Sequence, residues 1–366
     1  MMRTTAAVVE RPGGEFTLTE VDLDEPREDE VLVRVVASGL CHTDVSLRDT
    51  LPAEMFPRIF GHEGAGVVEQ VGSAVTHLSP GDHVVMSLAS CRSCPRCTAG
   101  EVGYCDDTFV LNYLGTRMDG STTCRREGGP VFASFLGQSS FARHALAHAS
   151  SCVRVDPALD LTRVAPFGCG FQTGAGAVLN VLRPAPRDSV VVYGAGAVGL
   201  AAVAAAVSAG AEPVAVDLNR DRLAHAERLG AVTVDPAEWG GSTVERVKEL
   251  TGGGAHGAVE TTAVPAVLTE AVRALGARGT LVVLGLDMAH PEFSVDAVDL
   301  LQSGKVVRGS IEGDSDPQQM VPRLLDLVGT GRFAVDPLLT TYSFADLDTA
   351  IADVVSGRVV KPVLVW

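Results

Sequence analysis

The chain predicts an α/β protein of two parts, a doubly wound parallel sheet following a mostly-β region. Three observations carry that reading. From about residue 170 onward, apolar strands alternate with helical segments, the β-α-β pattern that packs a parallel sheet between two layers of helix. Before that point, strands and turns bounded by glycine or proline follow one another. Finally, Gly194, Gly196 and Gly199 stand where a strand passes into a helix, as in turns that cradle a phosphate.

In chain order, residues 30–36 are β-rich, 64–72 form a strand bounded by glycine, and 79–86 read as a turn feeding a strand. Residues 106–130 are polar and contain glycine, which predicts a long loop. The alternating region opens with a strand at 190–193 and a helix at 197–208, then a strand at 213–217 and a helix at 219–229. Val259-Glu260, 280–284 and 306–309 continue the series, and 363–366 reads as a strand returning to the first part. No internal repeat or low-complexity tract interrupts the chain.

Length and composition narrow the function. At 366 residues the chain can bury two cores, and 46% hydrophobic with 20% charged residues is a globular balance. A net charge of −16 excludes a nucleic-acid partner, which needs clustered basic surface, and no polybasic run suits an anionic membrane. The N-terminus lacks the long apolar core of a signal peptide. The uncharged stretch 189–211 is long enough to span a bilayer, but its four glycines and embedded phosphate-loop pattern read as a buried strand, turn and helix. The expectation is a soluble, cytoplasmic protein with reduced cysteines.

Cys91, Cys94, Cys97 and Cys105 read C-x2-C-x2-C-x7-C, short enough for one loop to close around one ion. Four thiolates in tetrahedral array suit a structural zinc with no open position. Disulfides are the weaker alternative in a chain with no sign of secretion; an iron–sulfur cluster is the serious competitor.

In the strand–helix junction, Gly194 permits the tight turn, Gly196 lets a pyrophosphate approach the backbone, and Gly199 lets helix and strand pack closely. The helix N-terminus then offers N–H groups to the anion. Asp217 ends the next strand, where a carboxylate accepts hydrogen bonds from an adenosine ribose and repels a 2′-phosphate, favouring NAD over NADP. Arg220 and Arg222 follow and soften that preference.

Cys41, His62 and Cys169 form a further set of two thiols and one imidazole, the kind of donor set that leaves a fourth position open in catalytic zinc sites. Singly, each has an ordinary alternative, a buried hydrophobic cysteine or a satisfied polar histidine. Their separations alone do not show that they converge.

Taken together, Cys41-His42-Thr43-Asp44, Gly61-His62-Glu63-Gly64-Ala65-Gly66, the cysteine quartet, residues 168–176 and the Gly194-to-Gly199 turn resemble the zinc-dependent medium-chain alcohol dehydrogenase family over nearly the whole chain. Residues 135–141 and 311–317 are similar to its aryl-alcohol (benzyl-alcohol) branch. The resemblance implies a chaperonin-10-like (GroES-like) catalytic domain over 1–170 with its zinc lobe at 91–105. It also implies a Rossmann NAD-binding domain over 171–311 and a segment, 312–366, completing the first domain. Two zinc ions follow: a structural one on the quartet and a catalytic one on Cys41, His62 and Cys169, with Glu63 as alternate ligand. Asp44 would orient His62. His42 and Lys361 would lie near the cofactor pyrophosphate and Thr173 near the nicotinamide, with Val198, Arg222, Leu284 and Leu286 completing the cofactor set.

The implied reaction is reversible hydride transfer between a primary aryl or allylic alcohol and NAD, in a homodimer or homotetramer. Thr43 would take the alcohol proton, while Ser46 stands where the family often ends its proton relay in histidine. Phe135, Leu136, Leu286 and Ile311, joined by Leu51, Phe109 and Leu114, are candidates for an apolar substrate lining, with core packing the ordinary reading of each. The runner-up functions are a thiol-adduct formaldehyde dehydrogenase and a polyol dehydrogenase of the same fold, and beyond enzymes a nucleotide-binding regulatory protein.

Overall fold

The computed structural model describes residues 1–285 and 290–366. These divide into two compact units, one of Met1–Cys169, Asp316–Pro322 and Leu339–Trp366, the other of Gly170–Ser315 and Arg323–Leu338. The expected boundaries differ at the tail, because residues 323–338 pack within the second unit. Arg332 donates to the Ser208 carbonyl at 2.7 Å, and Phe333 sits edge-on to Phe171 with ring centroids 6.5 Å apart.

In the first unit, the strand Glu30–Gly39 is the spine of a seven-stranded sheet, flanked by Glu63–Val71 and Lys361–Val365, with His144–His148 also paired to it. Its sequence is apolar on both faces, as a strand buried on both sides requires. Antiparallel registers set Gly39 opposite both Glu63 and Val363, so Leu40, Glu63 and Lys361 gather at one end of the sheet. A five-stranded sheet carries Thr17–Leu23 at its centre with Met2–Val9 beside it, and edge-to-face rings of Phe16, Phe60, Phe135 and Phe141 fill the adjoining core.

The segment 106–130 is more ordered than a loop. It holds a π-helical turn, Val110–Leu114, and two short strands, Cys124–Arg126 and Gly129–Val131, that extend the five-stranded sheet. Three-residue strands are too short to show an alternating pattern. What pins them is Arg117, buried and bonded to Glu30 at 2.6 Å and Asp24 at 2.9 Å.

The second unit is a parallel sheet of six described strands in the order Val232–Val234, Glu212–Val216, Ser189–Tyr193, Ala255–Glu260, Leu275–Val283, Val306–Gly309. That order reverses direction of growth beside Ser189–Tyr193, the topological switch point at which such sheets bind ligands. The helix Ala197–Ser208 follows this strand and is buried along most of its length, which accounts for its Ala- and Val-rich sequence. Among the described residues no helix is long and apolar enough to cross a membrane.

A Cβ on Gly199 would lie 1.8 Å from the Gly194 carbonyl oxygen. Gly199→Ala should therefore destabilise the second unit by about 1–3 kcal/mol, read as a lowered thermal transition; an unchanged melt would show that the turn has room.

Candidate active site

In the first unit, the helix His42–Thr50 begins at Cys41, and Asp44 in its first turn is fully buried. Asp44 accepts three hydrogen bonds: from the Cys41 N–H at 3.1 Å, the Gly61 N–H at 3.0 Å and His62 Nδ1 at 2.8 Å. Because the same carboxylate oxygen also accepts from Gly61, Nδ1 must carry the proton of its bond to Asp44. Nε2 is left as a lone-pair donor, and it is buried with no hydrogen-bond partner. An orphaned acceptor of this kind fits a metal ligand. Phe135 closes the ring's other side, edge-on with centroids 5.4 Å apart.

Around Nε2 gather the other donors. Cys41, His62 and Glu63 each place a ligand atom within 4.8 Å of the others, and the Cys169 side chain is hydrogen-bonded to Cys41. That bond, then His62 and Lys361, outweigh burial and hold the Cys41 thiol well below its ordinary value. Burial pushes His62 down, but Asp44 and then Cys41 hold it well above an ordinary imidazole. Each of these two groups thus favours the charged form of the other. The set of one nitrogen and two sulfurs suits zinc.

Glu63 is engaged by Lys361, whose Nζ donates to its two carboxylate oxygens at 2.8 and 2.9 Å, and to the Leu40 carbonyl at 3.4 Å. Burial raises Glu63 to about 7 against the pull of Lys361. Burial alone would lower Lys361, yet Glu63 and Cys41 hold it above its ordinary value. Gly39 makes room for this pair, since a Cβ there would lie 2.0 Å from Glu63 Oε2. Thr43 Oγ1 is 3.6 Å from Cys41 Sγ, while His42 and Ser46 are exposed on the same helix.

The quartet Cys91, Cys94, Cys97 and Cys105 also closes, with all four sulfurs within 4.8 Å of one another. None of them is in a disulfide. Backbone N–H groups of Cys91, Cys94 and Cys97 point at sulfurs at 3.3, 3.3 and 3.4 Å. Against burial, donors on Ser93 and Cys94 bring Cys91 down to about 6, whereas burial pushes Cys97 up to about 12. Sulfurs this close fit a single ion, for which Zn–S bonds of about 2.3 Å set tetrahedral ligands about 3.8 Å apart; an iron–sulfur cluster would spread them wider.

In the second unit, Gly194 takes φ +89°, and its N–H donates to the Val216 carbonyl at 2.9 Å. A Cβ on Gly196 would meet nothing within 4 Å, so the backbone at the helix N-terminus is open to approach by an anion. Asp217 lies at the end of its strand, accepting from the Ala195 N–H at 2.6 Å and the Asn219 N–H at 2.7 Å. Arg220 is drawn away to Asp235 and Glu238, while half-buried Arg222 has an Nε without a hydrogen-bond partner. Val198 meets the Thr173 helix, where a Cβ on Gly174 would lie 1.9 Å from the Val198 carbonyl. Leu284 donates its N–H to Glu260 at 2.9 Å, and Leu286 lies outside the described residues.

The lining candidates divide. Phe135 and Leu136 are buried, Leu51 and Leu114 half-buried, but Phe109 is 60% exposed and stacked on Tyr113. Ile311 is 42% exposed. Phe135 packs edge-on against Phe60 and supports His62, the core role that large aromatics usually have. Sequence reasoning missed Gln138, whose amide accepts from the Gly64 N–H and donates to the His62 carbonyl, both at 2.9 Å. A lone glutamine after glycine carries no local signal of such a clamp.

Asp44→Asn should lower zinc affinity at the Cys41–His62–Cys169 set about 10–100-fold, the usual effect of losing a ligand's orienting partner. Competition with a chromophoric chelator would check this, and an unchanged affinity would remove Asp44 from the site. Elemental analysis should return about two zinc ions per chain, falling to one in Cys97→Ser.

Comparison with known proteins agrees with this geometry. Residues 27–157 match the alcohol dehydrogenase GroES-like domain and residues 197–329 the zinc-binding dehydrogenase domain. The chain is 40% identical to a geraniol dehydrogenase of Castellaniella defragrans, covering 99% of this chain and 97% of that one. It superimposes on an alcohol dehydrogenase zinc-binding domain protein of Burkholderia ambifaria with TM-score 0.96 at 43% identity, covering 100% of this chain and 99% of that one. With a benzyl alcohol dehydrogenase of Acinetobacter calcoaceticus the TM-score is 0.95 at 38% identity, again covering 100% and 99%. The GroES-like and Rossmann-type parts anticipated from the resemblance are thus present, and the chain belongs to the zinc-binding alcohol dehydrogenase family.

Proposed function

We propose that the protein oxidises a primary allylic or aryl alcohol to its aldehyde, reversibly, with NAD as the acceptor: alcohol and NAD⁺ give aldehyde, NADH and a proton. The observation that carries this reading is the buried, unpartnered Nε2 of His62 facing Cys41, with Cys169 bonded to Cys41 and the Thr43 hydroxyl close by. A zinc ion held by Cys41, His62 and Cys169 supplies Lewis acidity toward an alcohol oxygen. The nicotinamide supplies the hydride acceptor.

The chain's own residues do the rest. Asp44 keeps the proton of His62 on Nδ1, so that Nε2 stays a donor. Lys361 holds both oxygens of Glu63 and so keeps that carboxylate from competing for the open ligand position. Thr43 receives the hydroxyl proton at Oγ1. Ser46 does not titrate near neutrality as an imidazole does, so the proton leaves through hydroxyls and water along the exposed face of the helix. Asp217 presents a fixed negative charge to the adenosine ribose, which supports NAD; Arg222, with its uncommitted Nε, supports residual use of NADP.

Substrate class rests on the similarity to a geraniol and a benzyl alcohol dehydrogenase, named for primary alcohols whose carbinol carbon adjoins a π system. A closed homodimer or homotetramer belongs to the same reading.

Absorbance at 340 nm with NAD and a panel of aryl, terpenoid and aliphatic alcohols tests the proposal; no turnover on any alcohol or aldehyde refutes it. Thr43→Val should slow hydride transfer about 10²–10⁴-fold, and an unchanged pre-steady-state rate would exclude Thr43. Asp217→Ser should shift the NADP-to-NAD preference about 10–10³-fold toward NADP, the range for relieving one close like-charge contact. An unaltered preference would mean that Asp217 only caps its turn.

A further inference from the structure

The three glycines of the cradle turn do not all face a ligand. A Cβ on Gly199 would meet the Gly194 carbonyl oxygen, and one on Gly196 would meet nothing within 4 Å. A Cβ on Gly194 would lie 2.4 Å from Thr261 Oγ1, a side chain from the end of the adjoining strand in the sheet. Thr261 directly follows the strand Ala255–Glu260, which pairs with Ser189–Tyr193. Its N–H donates to the Tyr193 carbonyl at 3.0 Å, and its hydroxyl reaches the Tyr193 and Gly194 carbonyls at 2.9 and 3.1 Å. One hydroxyl proton is thus shared between two successive peptide groups, where the strand ends and Gly194 turns to φ +89°. The space beside Gly194 belongs to a threonine and not to a phosphate.

Thr261 is itself held in place. The Glu260 side chain accepts from the Thr262 N–H at 2.6 Å and the Ala263 N–H at 3.1 Å, which makes a tight turn after the strand. The Glu260 carbonyl accepts from the Leu284 and Gly285 N–H groups at 2.9 and 3.2 Å. Ala263 takes φ +59°, and a Cβ on Gly285 would lie 2.4 Å from the Ala263 nitrogen. Such backbone persists only where its surroundings over-determine it, and it clusters at functional sites. The strand on the other side grips the same turn, with the Gly194 N–H spent on the Val216 carbonyl and the Ala195 N–H on Asp217. All of these bonds fall on Tyr193, Gly194 and Ala195, just before Gly196, where the backbone is open.

A glycine-rich turn is unfavourable to order, because glycine loses more backbone freedom on fixing than any other residue. Where neighbouring strands fix it in advance, ligand binding does not have to. We propose that Thr261 is a positioning residue for the dinucleotide: by holding two carbonyls, its hydroxyl preforms the turn against which the pyrophosphate binds. This rests on the NAD-dependent reading above and deepens it. Thr261 acts through the backbone of Tyr193 and Gly194, and so on oxidised and reduced cofactor alike.

The test is equilibrium titration of the zinc-loaded protein with NADH and ADP-ribose, which carry a pyrophosphate, and with adenosine, which does not. Thr261→Val keeps the shape of the side chain and removes the donor. It should weaken NADH and ADP-ribose each about tenfold, the upper range for one lost hydrogen bond, and leave adenosine within about twofold. Thr261→Ser keeps the hydroxyl and should bind all three within about threefold of the wild type. Unchanged pyrophosphate binding in Thr261→Val, adenosine weakened as much as ADP-ribose, or a serine variant as weak as the valine one assigns Thr261 to general packing and overturns the proposal. The wild-type protein gives a reading that does not depend on any variant folding. Without ligand, the Gly194 and Ala195 amides should exchange hydrogen at least about a hundredfold more slowly than in an unstructured chain; free exchange there would show a turn that is not preformed and would also overturn it. A wild-type protein that binds neither NADH nor ADP-ribose removes the NAD-dependent reading itself, and this inference with it.

Discussion

One carboxylate organises the candidate metal centre. Asp44 takes three hydrogen bonds, and its donors come from two separate stretches of chain: Cys41 on one, Gly61 and His62 on the other. Each stretch carries a proposed ligand, so the same group that fixes the His62 tautomer also fixes the distance between the two. A buried carboxylate with three donors is well solvated by the protein, which is how it persists at zero exposure. The aromatic core then supports it from behind, with Phe135 against His62 and Phe60 against Phe135.

The second buried charge pair has a different logic. Glu63 and Lys361 are both fully enclosed, and burying two ions seldom adds net stability compared with well-packed apolar residues. What the pair contributes is placement. Lys361 belongs to the C-terminal strand and Glu63 begins a strand of the N-terminal part, so the bond ties the last residues of the chain to the metal-binding segment. Gly39 between them is required by space alone.

How much of this could be read from sequence depended on whether the signal was local. The quartet from Cys91 to Cys105 and the turn from Gly194 to Gly199 were legible because each closes on itself within a few residues. Cys41, His62 and Cys169 were legible only as donor types; that they meet depends on strand registers such as Gly39 opposite Glu63, which no spacing encodes. Gln138 stood out only within a segment similar to the aryl-alcohol branch and its role was not legible, since the groups it binds, Gly64 and His62, lie far away in sequence. Apolar character misled in the opposite sense. Phe109 and Phe135 look alike in sequence, yet one is largely exposed and the other is a core ring.

These residues share an electrostatic design. The metal centre is arranged to accept positive charge, with thiols, a fixed imidazole and a carboxylate already neutralised by its own lysine. The second unit carries a further carboxylate, Asp217, which accepts from the Ala195 and Asn219 N–H groups. A carboxylate whose partners are backbone or side-chain amides and a hydroxyl keeps its full charge, whereas one paired with a cation loses most of its reach. Glu63 is paired with Lys361, while Asp217 accepts from two backbone N–H groups. The chain thus pairs the acid beside its candidate metal site with a lysine and holds Asp217, at the end of its strand in the second unit, with backbone N–H groups.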